Sequence, residues 1–142
     1  MKRKEVEPLR KAQAFTARFG FITREFFFNY LCRKGRSQQY AQWKALVDDG
    51  WFMRSSRDER VLYLSRKSRK LLGAGCVPSR ALMYVDHDSL MGAFLFSMDR
   101  TGLILRSWTE AELTRSPGDA QRLLGAERFA KFPDLILDLR PD

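Results

Sequence analysis

Residues 51–65, WFMRSSRDERVLYLS, constrain the fold more tightly than any other stretch. Two short β-prone runs, WFMR and RVLYLS, flank the polar loop SSRDE, which is the signature of a hairpin. Such a hairpin is marginal on its own, so it has to lean on neighbouring helices. The sequence offers these on both sides. EPLRKAQAFTARF places Leu9, Ala12, Phe15 and Phe19 at helical spacing. FGFI reads as a break, and Thr23 then caps a second helix carrying Phe26, Phe27, Tyr30 and Leu31. RKGR is a turn. Ser37 is the expected N-cap of a third helix, QQYAQWKALVDD, which stops at Gly50. After the hairpin, SRKSRKLLG reads as a short basic helix starting at or just after Ser65. Helix, helix, helix, hairpin, helix is the order of a winged helix-turn-helix, expected over residues 1–73.

The distribution of charge agrees. Residues 1–72 carry a net +11 and residues 73–142 a net −2, within an overall +9. A basic module joined to a weakly acidic one points to a polyanion as partner of the first half; a merely solvated basic surface is the alternative. On the third helix the spacing predicts Tyr40, Trp43 and Val47 inward, with Leu46 at the edge of that face. Gln38, Gln42 and Ala45 are expected outward. A glutamine can pair bidentately with an adenine edge, so Gln38 and Gln42 are the expected readers of double-stranded DNA. Arg36 just before that helix, Lys44 on its flank, Arg54, Arg57 and Arg60 on the hairpin, and Lys67 beyond it are the expected phosphate contacts. Tyr40 and Tyr63 are expected in the core. Asp48 and Asp49 are expected to point away from the groove. A protein-binding winged helix is the competing reading of the same pattern.

GAGCVPSR marks a linker, taken as residues 74–82, and a second unit is expected over 83–142. There YVDHDSLMGAFLFSMDRTG predicts a helix with Leu90, Ala93 and Phe94 on one face, and Asp86 or Asp88 as its cap. LILRSW predicts a strand, TEAELTR a turn or short helix, and DLILDL a second strand. Two strands and a helix cannot close a sheet, so they must pack on the first half, on a partner, or on further residues. The overall class is α+β.

Several chemistries are excluded. There is no phosphate-cradling glycine loop. His87 is the only histidine, so a histidine-rich metal cluster and the tyrosine-plus-histidine design of common relaxases are out of reach. No apolar run approaches the ~18 residues that span a bilayer, so no membrane is expected. Two cysteines far apart, Cys32 and Cys76, suit a reduced, cytoplasmic protein. What remains is carboxylates. Glu110, Glu112 and Asp134 could hold a hard cation such as Mg2+ or Mn2+, or could be plain solvated acids.

WFMRSSRDERVLYLSRKSRKLL, HDSLMGAFLF, RSWTEAEL and PDLILDL together resemble the replication-relaxation family of plasmid and mobile-element proteins, itself similar to MobC-type mobilisation relaxases. The resemblance implies a DNA-binding winged helix followed by a unit related to PD-(D/E)xK nucleases. It places His87, Glu110 and Asp134 in the catalytic positions, with Glu110 and Asp134 on the metal. The family pattern continues into a strand bearing a further acid, and this sequence ends at Asp142 without it. The expectation is therefore an incomplete nuclease-like unit, in a fragment or a short form that binds DNA in plasmid replication or mobilisation without cutting it. Cleavage would require completion by further residues or a partner. Other relaxosome proteins and a second copy of the chain are the expected protein partners. A mobile-element transcriptional regulator, dimerising through its second half, is the alternative.

Overall fold

A computed structural model describes residues 3–73, 85–116, 118, 122–123 and 135–141. The expected linker at 74–82 and the acid Asp134 lie outside the described residues. The molecule is mixed α+β, with six α-helices and two small antiparallel sheets among the described residues.

Helix α1 (Arg3–Phe19) begins four residues before the sequence suggested, with Pro8 inside it. Strand β1 (Ile22–Thr23) follows, then α2 (Arg24–Phe26), which widens into a single π turn over Phe27–Leu31. Thr23 is the cap the sequence announced, its Oγ1 accepting from the Phe26 amide at 3.2 Å. Helix α3 (Arg36–Asp48) opens two residues early. Its cap is Gly35, without a side-chain bond, and Ser37 lies inside the first turn. Gly50, at φ 80°, supplies the left-handed residue that turns the chain into the hairpin.

The hairpin is β2 (Phe52–Arg54) and β3 (Val61–Leu64), in the register Phe52–Leu64, Met53–Tyr63 and Arg54–Leu62. FGFI holds a strand that the sequence concealed. Ile22 and Thr23 pair with Leu62 and Val61, making a three-stranded sheet in the order β1-β3-β2. Helix α4 (Arg66–Leu72) is capped by Ser65, whose Oγ accepts from the Ser68 amide at 3.2 Å.

In the second half, α5 (Val85–Asp99) leads to β4 (Ile104–Thr109), α6 (Glu110–Arg115) and β5 (Leu135–Leu139). β5 pairs antiparallel with β4. Thr109 and Glu112 form a reciprocal capping box: Oγ1 of Thr109 accepts from the Glu112 amide at 3.1 Å, and the Glu112 carboxylate accepts from the Thr109 amide at 3.0 Å. Asp86 and Asp88 sit inside the first turn of α5, where their charge suits the positive end of the helix.

Helix α1 joins the halves. Its first face enters a core with Ile22, Phe27, Leu46, Phe52 and Leu62. Along its flank, Phe15 stacks on Phe19 and Phe26, and Phe96 of α5 meets Phe26 and Tyr30 edge-on. At its C-terminal end the Arg18 guanidinium donates to Glu112 at 2.9 Å and to the Ser107 carbonyl at 3.0 Å. Thr109 returns a bond to the Arg18 carbonyl at 3.0 Å. Of the face expected for α5, Ala93 packs against the core, and the placing of Leu90 and Phe94 is corrected. Gly92 and Leu95 are buried, while Leu90 is 67% and Phe94 47% exposed. The cause is Phe15, which lies so close to α5 that only glycine fits opposite it.

That contact gives a test. A Cβ placed on Gly92 would stand 2.5 Å from Phe15 Cζ. Alanine improves helix propensity by about 1 kcal/mol, but overpacking costs about 1–3 kcal/mol. Gly92→Ala should therefore lower the thermal midpoint, and adding Phe15→Leu should recover part of the loss. A midpoint that rises in the single variant would refute this account of the α1–α5 contact.

Candidate functional site

The exposed strip of α3 runs through Arg36, Ser37, Tyr40, Ala41 and Lys44. The inward face is Trp43 and Leu46, with Gln39, Gln42 and Val47 half-buried. Relative to the expected faces, the helix is rolled so that Tyr40 faces out and Gln42 turns in. Tyr40 is 41% exposed, packed edge-on against Phe28, and the Arg24 guanidinium lies 5.7 Å from its ring centre. The expectation of a core Tyr40 is thus corrected, and Tyr63 is half-buried. Gln38 is exposed, as expected.

The roll has a local cause. Because α2 finishes as a π turn, the carbonyls of Phe28 and Cys32 need donors from elsewhere. Gln39 Nε2 serves both, at 3.0 Å and 2.7 Å. Gln42 Oε1 accepts the Cys32 thiol proton at 3.1 Å. Burial pushes the Cys32 thiol upward, partly offset by Lys34, and this keeps the sulfur a donor. Two amides of α3 therefore brace the turn before it, and Gln42 is a bracing residue. No sequence pattern announces this, because the carbonyls that demand it arise only from the π turn.

The expected cations divide into those with surface to offer and those already engaged. Arg36, Arg54 and Arg57 are exposed. Lys44 stands 4.0 Å from Asp48 with both side chains exposed, a pairing of little energetic weight. Arg60 differs. Its Nη2 and Nε donate to the two oxygens of Asp58 at 2.9 Å and 3.1 Å, and Glu25 lies 4.0 Å away. Lys67 is also engaged, with Nζ 3.8 Å from the Trp51 ring centre and donating to the Asp49 carbonyl at 3.2 Å. It anchors the end of α3. Arg24, which the sequence reading passed over, opens α2 beside the exposed strip.

Ser55 shapes the hairpin loop by accepting from the amides of Arg57 and Asp58 at 3.1 Å and 3.3 Å. This leaves Arg57 exposed within the loop.

His87 is exposed in the first turn of α5, and Glu110 opens α6. Glu112 is engaged through Oε1 by Arg18 and by its own capping box. Among the described residues no three of His, Cys, Asp and Glu converge. Asp134 lies outside them. No helix among the described residues is long and apolar enough to cross a membrane.

No family model, no curated protein and no solved structure matches this chain.

The Asp58–Arg60 pair has a pH signature. Hydrogen bonds from the Arg60 side chain and amide hold the Asp58 carboxyl below the usual carboxylate range. Its contribution to loop order is present above the ordinary pKa of aspartate and disappears as pH falls through the lowered value. In Arg60→Ala the Asp58 carboxyl should titrate closer to its unperturbed value of about 3.9. Carbon-detected NMR titration reads this directly, and equal Asp58 midpoints in both proteins would break the assignment.

Proposed function

We propose that residues 3–73 form a winged helix-turn-helix that binds duplex DNA, with α3 in the major groove and the β2–β3 loop on the phosphate backbone. The observation carrying this reading is the exposed strip of α3. From Arg36 to Lys44 it is about 12 Å long at 1.5 Å per residue, and it has cations along it and beside it. Arg24, Arg36 and Lys44 border the strip, and Arg54 and Arg57 extend from the hairpin. A groove-reading helix needs an uncommitted outer face with phosphate contacts on its flanks. Ser37 and Tyr40 supply hydroxyls for base edges, with Gln38 at the margin.

The wider role, binding a defined site during replication or mobilisation of a plasmid or other mobile element, rests on the sequence pattern. So does a cytoplasmic setting. On this reading the chain binds DNA and leaves it uncut, and any cleavage would need Glu110 and Asp134 to be completed by further groups around Mg2+ or Mn2+. One observation favours a regulator that dimerises through its second half. Leu103, Leu105 and Leu139 leave apolar surface exposed on and beside the β4–β5 ribbon. A second copy covering that ribbon would pair two α3 helices for half-sites one helical turn apart.

Neutralising Arg54 and Arg57 together should weaken binding to every duplex and reduce the slope of log affinity against log salt by roughly 1.8, about 0.9 per phosphate contact. Asp58→Asn should act oppositely, releasing Arg60 and steepening the slope. Tyr40→Ala should cost roughly 1–3 kcal/mol at the preferred site only. Gln42→Ala should lower thermal stability while leaving sequence preference intact. Loss of preference in Gln42→Ala with Tyr40→Ala unaffected would show that α3 docks by a different face.

A further inference from the structure

A cleft of about 600 Å³ lies between α1 and α5, closed at one end by the π turn. It is separate from the outer face of α3 and has no part in the proposed duplex contact. Its floor is aromatic. Phe15, Tyr30 and Phe96 pack against the core but are only half-buried, and Leu95 lies fully buried behind them. Its rim is cationic. Lys11, Arg33 and Arg100 are exposed around the opening, and among the described lining residues Asp99 is the one carboxylate. Arg18 also lines it, but its guanidinium is engaged by Glu112 and Ser107.

The rim cations are weakly committed. Lys11 makes an exposed one-turn pair with Glu7 at 3.1 Å, which solvent screens. Arg33 donates to the Asn29 carbonyl at 3.4 Å, a long bond that leaves its other donors available. An aromatic floor with an arginine-bearing rim matches a flat ring carrying phosphate. The ring packs against aromatic edges, and guanidinium groups clasp phosphate oxygens. The volume falls within the range of small-molecule sites, about 300–1,000 Å³. The α1 side spans only Lys11 to Phe19, about 12 Å at 1.5 Å per residue, which suits one nucleotide better than a run of them.

We propose that this cleft binds a free nucleoside phosphate, with its base against Phe15, Tyr30 and Phe96 and its phosphates held by Lys11, Arg33 and Arg100. The proposal stands whether or not α3 reads a duplex.

Calorimetric titration of the whole chain with AMP, GMP, ATP, GTP, adenosine, inorganic triphosphate and a single-stranded dodecamer tests it. Triphosphates should bind more tightly than monophosphates. Adenosine, which lacks the charged hydrogen bonds, and inorganic triphosphate, which lacks the ring that packs on the aromatic floor, should each bind at least about tenfold more weakly than ATP. Two variants probe the site independently. Ala14 lines the cleft from an exposed position, so Ala14→Phe fills it without changing charge. Arg100→Glu reverses the rim. Both should keep the native thermal midpoint and duplex affinity while weakening ATP binding about tenfold or more. Binding of the dodecamer alone would overturn the proposal. So would inorganic triphosphate matching ATP, or ATP affinity unchanged in Ala14→Phe.

Discussion

Helix α1 is the constraint on which the remaining architecture depends. It touches the three-stranded sheet, the π turn, α4, α5 and α6, so burying it from several sides assembles both halves at once. Polar groups on α1 are matched individually. Gln13 Nε2 donates to Ser68 Oγ at 3.1 Å, and the buried Thr16 hydroxyl returns to the Ala12 carbonyl at 2.7 Å. Arg18 is the most demanding of them. An arginine this close to the interior needs its fork filled, and Glu112 with the Ser107 carbonyl fills it. The described part of the second half, a two-stranded ribbon with α5 and the short α6, buries too little to stand alone. Thr109 and Glu112 tie the ribbon to α1 through groups that also cap α6, so forming the helix and docking the ribbon are one event.

What could be read from the sequence was what is decided within a few residues. Thr23 and Ser65 cap helices because a hydroxyl reaches an amide three positions on, whatever surrounds it. The hairpin was legible for the same reason. Strand β1 was not, because two residues carry no periodicity and Ile22–Thr23 are a strand only through pairing with β3. The faces of α3 and α5 failed differently. α5 carries apolar residues all round, so spacing cannot choose between Leu90 with Phe94 and Gly92 with Leu95. The choice is made by Phe15, contributed by another helix about eighty residues away in sequence. On α3 the tilt is set by carbonyls freed by the π turn, which no local pattern announces.

The candidate site shows the same split between residue type and commitment. Composition marks the first half as basic, but composition cannot say which charges remain available. Arg60 and Lys67 are engaged by Asp58, Trp51 and the end of α3, where they fix the hairpin and the helix. Arg24 gains a place at the exposed strip through Tyr40, a residue that spacing assigned to the core. Basic residues in such a chain therefore have two physical roles, shaping the interface and forming it. Only the carboxylates and ring faces around each one distinguish the roles.

One short segment serves two surfaces. Tyr30, Leu31 and Arg33 line the cleft against α5, while the carbonyls of Phe28 and Cys32 hold Gln39 and so set the roll of α3. The wide π turn makes this sharing possible, because it frees carbonyls on one side while presenting an aromatic ring on the other. Two surfaces joined through one turn are coupled only if a ligand on either distinguishes between arrangements of that turn. The bonds from Gln39 oppose such rearrangement, since breaking them would leave two carbonyls without their donor. An occupant of the cleft that left those bonds intact would stabilise the fold without redirecting α3. Only one that drew Arg33 and the adjoining backbone away from Gln39 could change how the outer face of α3 is presented.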